Sequence, residues 1–511
     1  MRHWIKQRMR VTSIALIGYL GLYLLGCQQT HIKFTDSAST TLPQFNKIQA
    51  APAVNAMHFE LKHSVEQQNY VDGSKLFVFS DPQSGLDKLT LVAYSKQPFA
   101  NMDVLLAAFE QKRRWLSAKQ SLNCADSIRF RPSLHSIAIS ISCHQLPAEA
   151  ATLLSDFWQA DSFNEIDINN VKRQLKLAKH INAFSGAEID TVWAKTILGE
   201  THTYNQALND SELADTLTLA SLNAVKDKIL SQSSWAVLSN QALLSGETGE
   251  KSLPNILLSD AVALSVAVNA ATDNSDDRPT NQPDIALGNE QKNLYIIDAP
   301  GSVQTQIRVG YPLARNSSTT TSNQKTVMLD NSADAQDCQL LASWLGRSFS
   351  GRLYYDLREV RGLTYGIYGR CYDNPLSRTI KFYGSTQLQH SGAFIDGVLK
   401  HLTLAADSPA SQAELKAIKT YNSSKLLLRQ DNPMALEVDT IRQLTSGYSP
   451  AYQQMFADKI DSLNADELQA IANNVFSRTP YVVIRGDLDR IRQDLQQKLP
   501  GWQIIEVSAN D

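Results

Sequence analysis

Residues 75–95 read KLFVFSDPQSGLDKLTLVAYS, and residues 293–312 read NLYIIDAPGSVQTQIRVGYP. Each stretch is an apolar run, then Asp with Pro, Ser and Gly, then a run of alternating character. That pattern predicts a strand, a turn and a second strand. A second pair of matching stretches follows in the same order. Ser221-Leu222-Asn223-Ala224 recurs as Ser462-Leu463-Asn464-Ala465, each opening an amphipathic helix that leads to a short strand, 235–238 and 481–484. The offsets are 218 and 241 residues, and two matches in one order at similar offsets point to an internal duplication. Each half runs β-β-helix-ββ-helices-β. Strands interspersed with long helices, with few βαβ crossovers, predict an α+β fold with helices on one face of a mostly antiparallel sheet.

Between the halves, residues 245–290 are rich in Ser, Asn, Asp, Ala and Pro, and SDDRPTNQPD at 275–284 reads as a linker. The expected domains are 51–244 and 291–511, each long enough to bury a substantial core. Helix starts are marked near residue 410: Ser408-Pro409 places a Pro early in a helix, or Ser411-x-x-Glu414 forms a capping box.

The chain has 511 residues, 19% charged and 43% hydrophobic, with a formal charge of −3. This composition excludes wholesale disorder, collagen, coiled coil and a polytopic membrane protein. It gives no electrostatic footprint for nucleic acid. Five cysteines are too few for a disulfide scaffold.

The first ten residues carry Arg2, Lys6, Arg8 and Arg10 and no acid, and residues 11–25 are an apolar run of fifteen. That is a leader, too short to favour a bilayer-spanning helix. It ends Leu24-Leu25-Gly26-Cys27, which resembles a bacterial lipobox. The resemblance implies a signal peptide over 1–26 and acylation of Cys27; the plainer alternative is an uncleaved anchor with an incidental Cys. Gln28 follows, which resembles the outer-membrane default of Gram-negative lipoproteins, so the expected place is the outer membrane, facing the periplasm. Without the leader the chain has 44 Lys and Arg against 51 acids, near −7, so a lipid rather than surface charge would hold it to a membrane. Residues 27–50 read as a tether.

An envelope location permits disulfides. Cys124 and Cys143 bracket two alternating stretches, 127–131 and 136–142, and would face each other if these pair as a hairpin, while Cys338 falls in a helix and Cys371 in a strand. The pairs 124–143 and 338–371 and four free buried thiols are both open readings.

Residues 345–368 read LGRSFSGRLYYDLREVRGLTYGIY. The pattern predicts a helix over 352–360, a turn at Arg361-Gly362 and a strand from Leu363. Arg358 in the last helical turn and Tyr365 on the strand can offer a guanidinium and a phenol to one ligand. The plainer reading is that Arg358 pairs with a surface acid and Tyr365 packs in the core.

This segment resembles the C-terminal domain of insulinase-like (M16, pitrilysin clan) metallopeptidases, whose pattern runs S-R-L-[FY]-x-x-L-R-E-x-x-G-L-x-Y. Ser350, Arg352, Leu353, Tyr354, Leu357, Arg358, Glu359, Gly362, Leu363 and Tyr365 match, with Gly351 where a second Ser is usual. Residues 304–311 look like the strand that opens the family's second domain, and His202-Thr203-Tyr204-Asn205 is similar to its His-Pro-Tyr-Gly segment. The resemblance implies two homologous M16-type (LuxS/MPP-like) α/β sandwich domains. It implies that Arg358 holds a substrate backbone carbonyl and that Tyr365 donates to the oxyanion of a tetrahedral intermediate. Gly346-Arg347-Ser348 departs from the run of glycines relatives often have there, implying a stiffer, more basic loop.

The family's zinc motif is H-x-x-E-H: two His bind Zn²⁺ and the Glu activates a water. None of the ten His stands in that pattern. His58 and His63, five apart in a strand-like stretch, read as surface histidines. By position the zinc helix falls at 101–110, NMDVLLAAFE, with Val104, Ala107 and Ala108 where the ligands and base would sit. Aliphatic side chains do not ligate a metal.

The implied role is the non-zinc subunit of a two-chain M16 peptidase, inactive alone. It would pair as a heterodimer with an H-x-x-E-H subunit that carries the zinc and would bind short peptides as an added strand. The alternatives are an M16-fold envelope scaffold or peptide-binding lipoprotein with no chemistry, and a self-sufficient peptidase with unorthodox ligands.

Overall fold

The computed structural model describes residues 65–508, apart from 80–84, 120–123, 148, 184–187, 207, 211, 241–252, 272–288, 290, 314–331, 431 and 449–450. The leader, Cys27, the tether, His58, His63 and the stretch 275–284 lie outside the described residues.

The N-terminal half runs β1 (Val65–Asn69), β2 (Lys75–Phe79), β3 (Asp87–Tyr94), α1 (Met102–Ala118), β4 (Arg129–Ser133), β5 (Ser136–Cys143), α2 (Ala150–Ser155), α3 (Ile168–Ala183), α4 (Glu188–Leu198), α5 (Leu213–Thr216), α6 (Leu219–Gln232), β6 (Ser234–Ser239) and α7 (Leu253–Ala271). The C-terminal half runs β7 (Asn293–Asp298), β8 (Gln304–Leu313), α8 (Ser332–Gly346), α9 (Arg352–Tyr354), β9 (Thr364–Asn374), β10 (Ser377–Gln387), α10 (Ser391–Asp407), α11 (Gln412–Gln430), α12 (Pro433–Ser446), α13 (Tyr452–Ser462), α14 (Ala465–Phe476), β11 (Tyr481–Gly486), α15 (Leu488–Lys498) and β12 (Gln503–Glu506).

The two six-stranded sheets have orders β1-β2-β6-β3-β5-β4 and β12-β7-β11-β8-β10-β9. Apart from the outer strands β1 and β12, the topologies are the same. Register makes the equivalence residue-exact. Val237 pairs with Leu76 on one side and Leu91 on the other, and Val482 pairs with Leu294 and Val309 in the same way. Leu76 and Leu91 map onto Leu294 and Val309 at the offset of 218 read from the sequence.

The second sequence match is not equivalent in the structure. Ser221 lies in the first turn of α6, where it completes a capping box with Thr218, whereas Ser462 ends α13 and Asn464 caps α14. Val237 and Val482 set the offset of these parts at 245, not 241. Ser and Asn recur near helix starts because both satisfy free N–H groups, and that chemistry produces short matches in the wrong register.

Each sheet packs its own half's helices on one face. Leu91, Ile139 and Val237 meet Leu105 and Phe109 of α1 in one core, and Val309, Phe382 and Val482 meet Leu341 and Leu345 of α8 in the other. The opposite faces are also covered, each by a helix from the other half. Ile189, Val192, Trp193 and Ile197 of α4 pack on Ile297, Tyr481 and Val483 of the second sheet. Leu436, Ile441 and Leu444 of α12 pack on Phe77, Val92 and Leu238 of the first. Full burial of such a side chain contributes about 1.5–3 kcal/mol at most. This exchange explains why β2 and β7 carry near-continuous apolar runs.

The linker reading of 245–290 does not hold for α7, which packs Leu257, Leu258 and Ala261 into the first core. Its Ser265 accepts a hydrogen bond from Trp235 at 2.6 Å. The polar stretch that follows masked a helix of ordinary apolar character. At α11 the capping box is the start signal: Glu414 accepts from the Ser411 N–H at 2.9 Å, and the Glu414 N–H donates to Ser411 Oγ at 3.3 Å. Pro409 lies before the helix. Disulfides join Cys124 to Cys143, and Cys338 to Cys371.

Candidate functional site

The 345–368 segment starts where α8 ends against β9. A Cβ on Gly346 would lie 2.0 Å from the Gly369 backbone nitrogen, so only glycine allows this approach. After α9, Tyr355–Val360 forms a π-helical turn, with the Arg361 N–H donating to Asp356 O, five residues back, at 3.0 Å. Widened turns of this kind recur at functional sites. Leu353, Tyr354 and Leu357 fill the core from one side of the segment, which leaves Tyr355, Arg358 and Val360 on the other. Gly362, at φ +63°, turns the chain into β9.

Arg358 is about one third exposed. Its guanidinium lies 4.8 Å from the Tyr354 ring centroid, and its Nε is 3.5 Å from Glu359, a loose contact with a neighbour. Tyr365 is 86% exposed, not packed in the core, and its hydroxyl bonds to no described residue. The register of β9 on β10 shifts between Gly384 and Thr386, and Thr364 Oγ1 takes the Gly366 N–H at 3.1 Å while donating to Ser385 O at 2.6 Å. Such an irregularity re-aims a side chain at a sheet edge. Tyr354 stands between Phe349 and Tyr368, with centroids at 5.4 and 6.5 Å. The structure thus brings Arg358, Tyr354, Phe349 and Tyr368 into one aromatic shelf. Neither Arg358 nor Tyr365 lines the cavity of about 480 Å³ under the edge of β9.

Arg352, a motif residue, forms a two-pronged ion pair with Glu414 that ties the segment to α11. Sequence reading placed Arg352 in the motif without its partner, which lies 62 residues on.

The zinc-helix position is α1. Val104 and Ala108 are buried in the core and Ala107 packs at its margin, so these residues do not fit a zinc ion. One turn on, Lys112 is buried and donates to Asp156 O at 2.5 Å and Ser162 Oγ at 3.0 Å. Burial lowers its pKa to about 8, with Asp156 and Asp161 opposing and Lys226 assisting.

His202-Thr203-Tyr204-Asn205 lies at the joint between the halves, against the β9–β10 turn. His202 Nε2 is 3.3 Å from Leu376 O, and the Tyr204 hydroxyl accepts from the Leu376 N–H at 3.0 Å and lies 2.6 Å from His135 Nε2. Burial pushes the His202 pKa down, partly offset by that carbonyl.

Residues 264–422 match a family model described as the Peptidase M16 inactive domain. Among solved structures, the chain is similar to the peptidase M16 inactive domain from Pseudomonas fluorescens, with 17% identity and a TM-score of 0.59, over 83% of this chain and 98% of that one. It is similar to a chain of Complex III2 from Candida albicans, Inz-5 bound, with 13% identity and a TM-score of 0.60, over 86% and 100%. It is similar to a protease from Helicobacter pylori, with 11% identity and a TM-score of 0.53, over 83% and 99%. Comparison with curated proteins gives no match. The chain therefore has the fold of the M16 inactive domain, with the sequence signature of that domain over residues 264–422.

Proposed function

We propose that this chain is the non-catalytic subunit of a two-chain M16-type metallopeptidase. A partner bearing H-x-x-E-H would carry the zinc, and this chain would present Arg358 and Tyr365 to the peptide. The observation that carries the reading is the Tyr365 phenol, exposed and unbonded among the described residues, in a chain with Val104, Ala107 and Ala108 where the zinc ligands and base would sit. A fixed phenol donor aimed at an oxyanion contributes on the order of 3–4 kcal/mol to the transition state. Arg358, held over Tyr354, offers several N–H donors to a carbonyl beside the scissile bond. A chain of this fold sits in Complex III2 from Candida albicans, an instance of the fold within a larger assembly. In this reading Cys27 carries a lipid that tethers the complex to the outer membrane, facing the periplasm.

The test is cleavage of unfolded peptides by this chain, by an H-x-x-E-H subunit, and by their mixture. Only the mixture should cleave, with zinc dependence. Arg358→Ala and Tyr365→Phe should each slow it by about 10²–10³-fold without lowering the melting temperature. Parent-like turnover by both variants would overturn the shared site. A scaffold role without chemistry is the second reading, favoured by the position of both side chains outside the β9 cavity. It is supported instead if pull-downs recover no zinc-bearing partner.

A further inference from the structure

The cavity under the edge of β9 is lined by five cations, Arg347, Arg370, Lys425, Arg429 and Arg442, and by one carboxylate, Asp439. They come from the α8–α9 loop, β9, α11 and α12, so tertiary packing gathers them. β9 is the outer strand of its sheet, and its residues 368–371 form one wall.

The charges inside do not balance. Asp439 is taken by Arg429, with Nε at 3.1 Å and Nη2 also in contact. Arg442 reaches Asp373, a buried carboxylate already paired with Arg378. Among the described residues the Arg347 guanidinium bonds only to Ser350, through its hydroxyl at 2.7 Å and its carbonyl at 3.2 Å, and stacks on Tyr421. Arg370 lies 5.1 Å from the Tyr372 ring centroid and has no acid partner among the described residues. The Lys425 ammonium has no hydrogen bond or ion pair among the described residues. Its side chain is open to the cavity, yet enclosure by protein and the guanidiniums of Arg429, Arg370 and Arg442 push its pKa down, with Asp439 opposing. Like charges crowded in a concave, partly desolvated site repel at a cost that a bound anion relieves. A volume of about 480 Å³ admits a small molecule.

We propose that this cavity binds a compact polyvalent anion, carrying phosphate or carboxylate groups, held chiefly by Arg370 and Lys425. The site does not depend on the peptidase reading, because neither Arg358 nor Tyr365 lines it.

The test is calorimetric titration of the full chain with inorganic pyrophosphate and, separately, citrate at low ionic strength. Pyrophosphate is expected to bind once per chain, more weakly as salt rises. Arg370→Gln and Lys425→Gln should each weaken it about tenfold or more, the loss of one charge-assisted contact. Lys228→Gln, at an exposed site on α6, should leave it unchanged. Equal binding of citrate supports a site that reads charge; binding of pyrophosphate alone supports one that reads phosphate. Ligand-free Lys425→Gln should melt no lower than the parent, since the change relieves repulsion, and its melting temperature should no longer rise with pyrophosphate. Failure of the parent to bind either anion, or parent-like binding by both cavity variants, would overturn the site.

Discussion

Arg352 and Glu414 face each other in a two-pronged ion pair, Nε to Oε1 at 2.8 Å and Nη2 to Oε2 at 3.0 Å. The same carboxylate caps α11 through Ser411 and accepts from Trp344 Nε1 at 3.3 Å. Burial alone would raise the Glu414 pKa, but the hydrogen bonds from Arg352 and Ser411 outweigh it and hold the pKa at about 2, from an ordinary value of 4.5. The unfolded chain therefore binds the proton more readily than the folded one. The stability this pair contributes is present above pH 4.5 and is lost as the pH falls toward 2. Arg352→Gln should lower stability at pH 7 by on the order of 2–3 kcal/mol and by much less at pH 2. Denaturant unfolding at both values checks this; an equal loss at both would remove Glu414 as the source.

The second prediction concerns the helix in the zinc position. Ala108 is fully buried on α1, beside Leu105 and Phe109. An imidazole there overfills the core and buries polar nitrogens without partners. Ala108→His should cost roughly 2–4 kcal/mol. Thermal melting with and without zinc provides the check. A parent-like melting temperature would mean that this face of α1 is not core, and a zinc-dependent rise would mean that it tolerates a metal.

The strand–turn–strand units were legible because an apolar run and an alternating run separated by Asp, Pro and Gly have one physical meaning, and both copies keep it at one offset. The later match was four residues out because helix-start chemistry repeats in any register. Arg358, on the outward side of its turn, and Tyr365 were legible as a motif; that Tyr365 projects from an irregular sheet edge was not. The exchange of α4 and α12 was not legible either. An apolar helix face predicts burial, but Trp193 and Leu436 do not record which sheet they bury against. The basic cavity was hidden for a similar reason. Lys425 and Arg429 are one helical turn apart and read as a solvated face, while Arg370 and Arg442 arrive from elsewhere in the chain.

The exchanged helices are held by reciprocal charges, and the two joints should differ in strength. Asp190 of α4 takes Arg308 of β8 at 2.9 Å and Lys381 of β10 at 2.8 Å. Glu437 of α12 takes Lys88 of β3 at 2.8 Å and also Arg131 of β4. Burial acts to raise the Asp190 pKa, but Arg308 and Lys381 outweigh it, so its contribution is present at neutral pH and lost as the pH falls below the ordinary Asp value of 3.8. Asp190 is half-exposed, so water screens the pair and Asp190→Asn should cost only about 1 kcal/mol at pH 7. Glu437 is 7% exposed, and Glu437→Gln leaves Lys88 and Arg131 partly buried without a carboxylate. That loss should be roughly 3 kcal/mol. Hydrogen exchange should therefore speed up more in α12 of Glu437→Gln than in α4 of Asp190→Asn at neutral pH. As the pH falls below the ordinary Asp value, the difference between Asp190→Asn and the parent should shrink, because the stability that the carboxylate contributes is being lost. The reverse order at neutral pH would show that apolar packing of Trp193 and Leu436, rather than charge burial, sets the strength of the two joints.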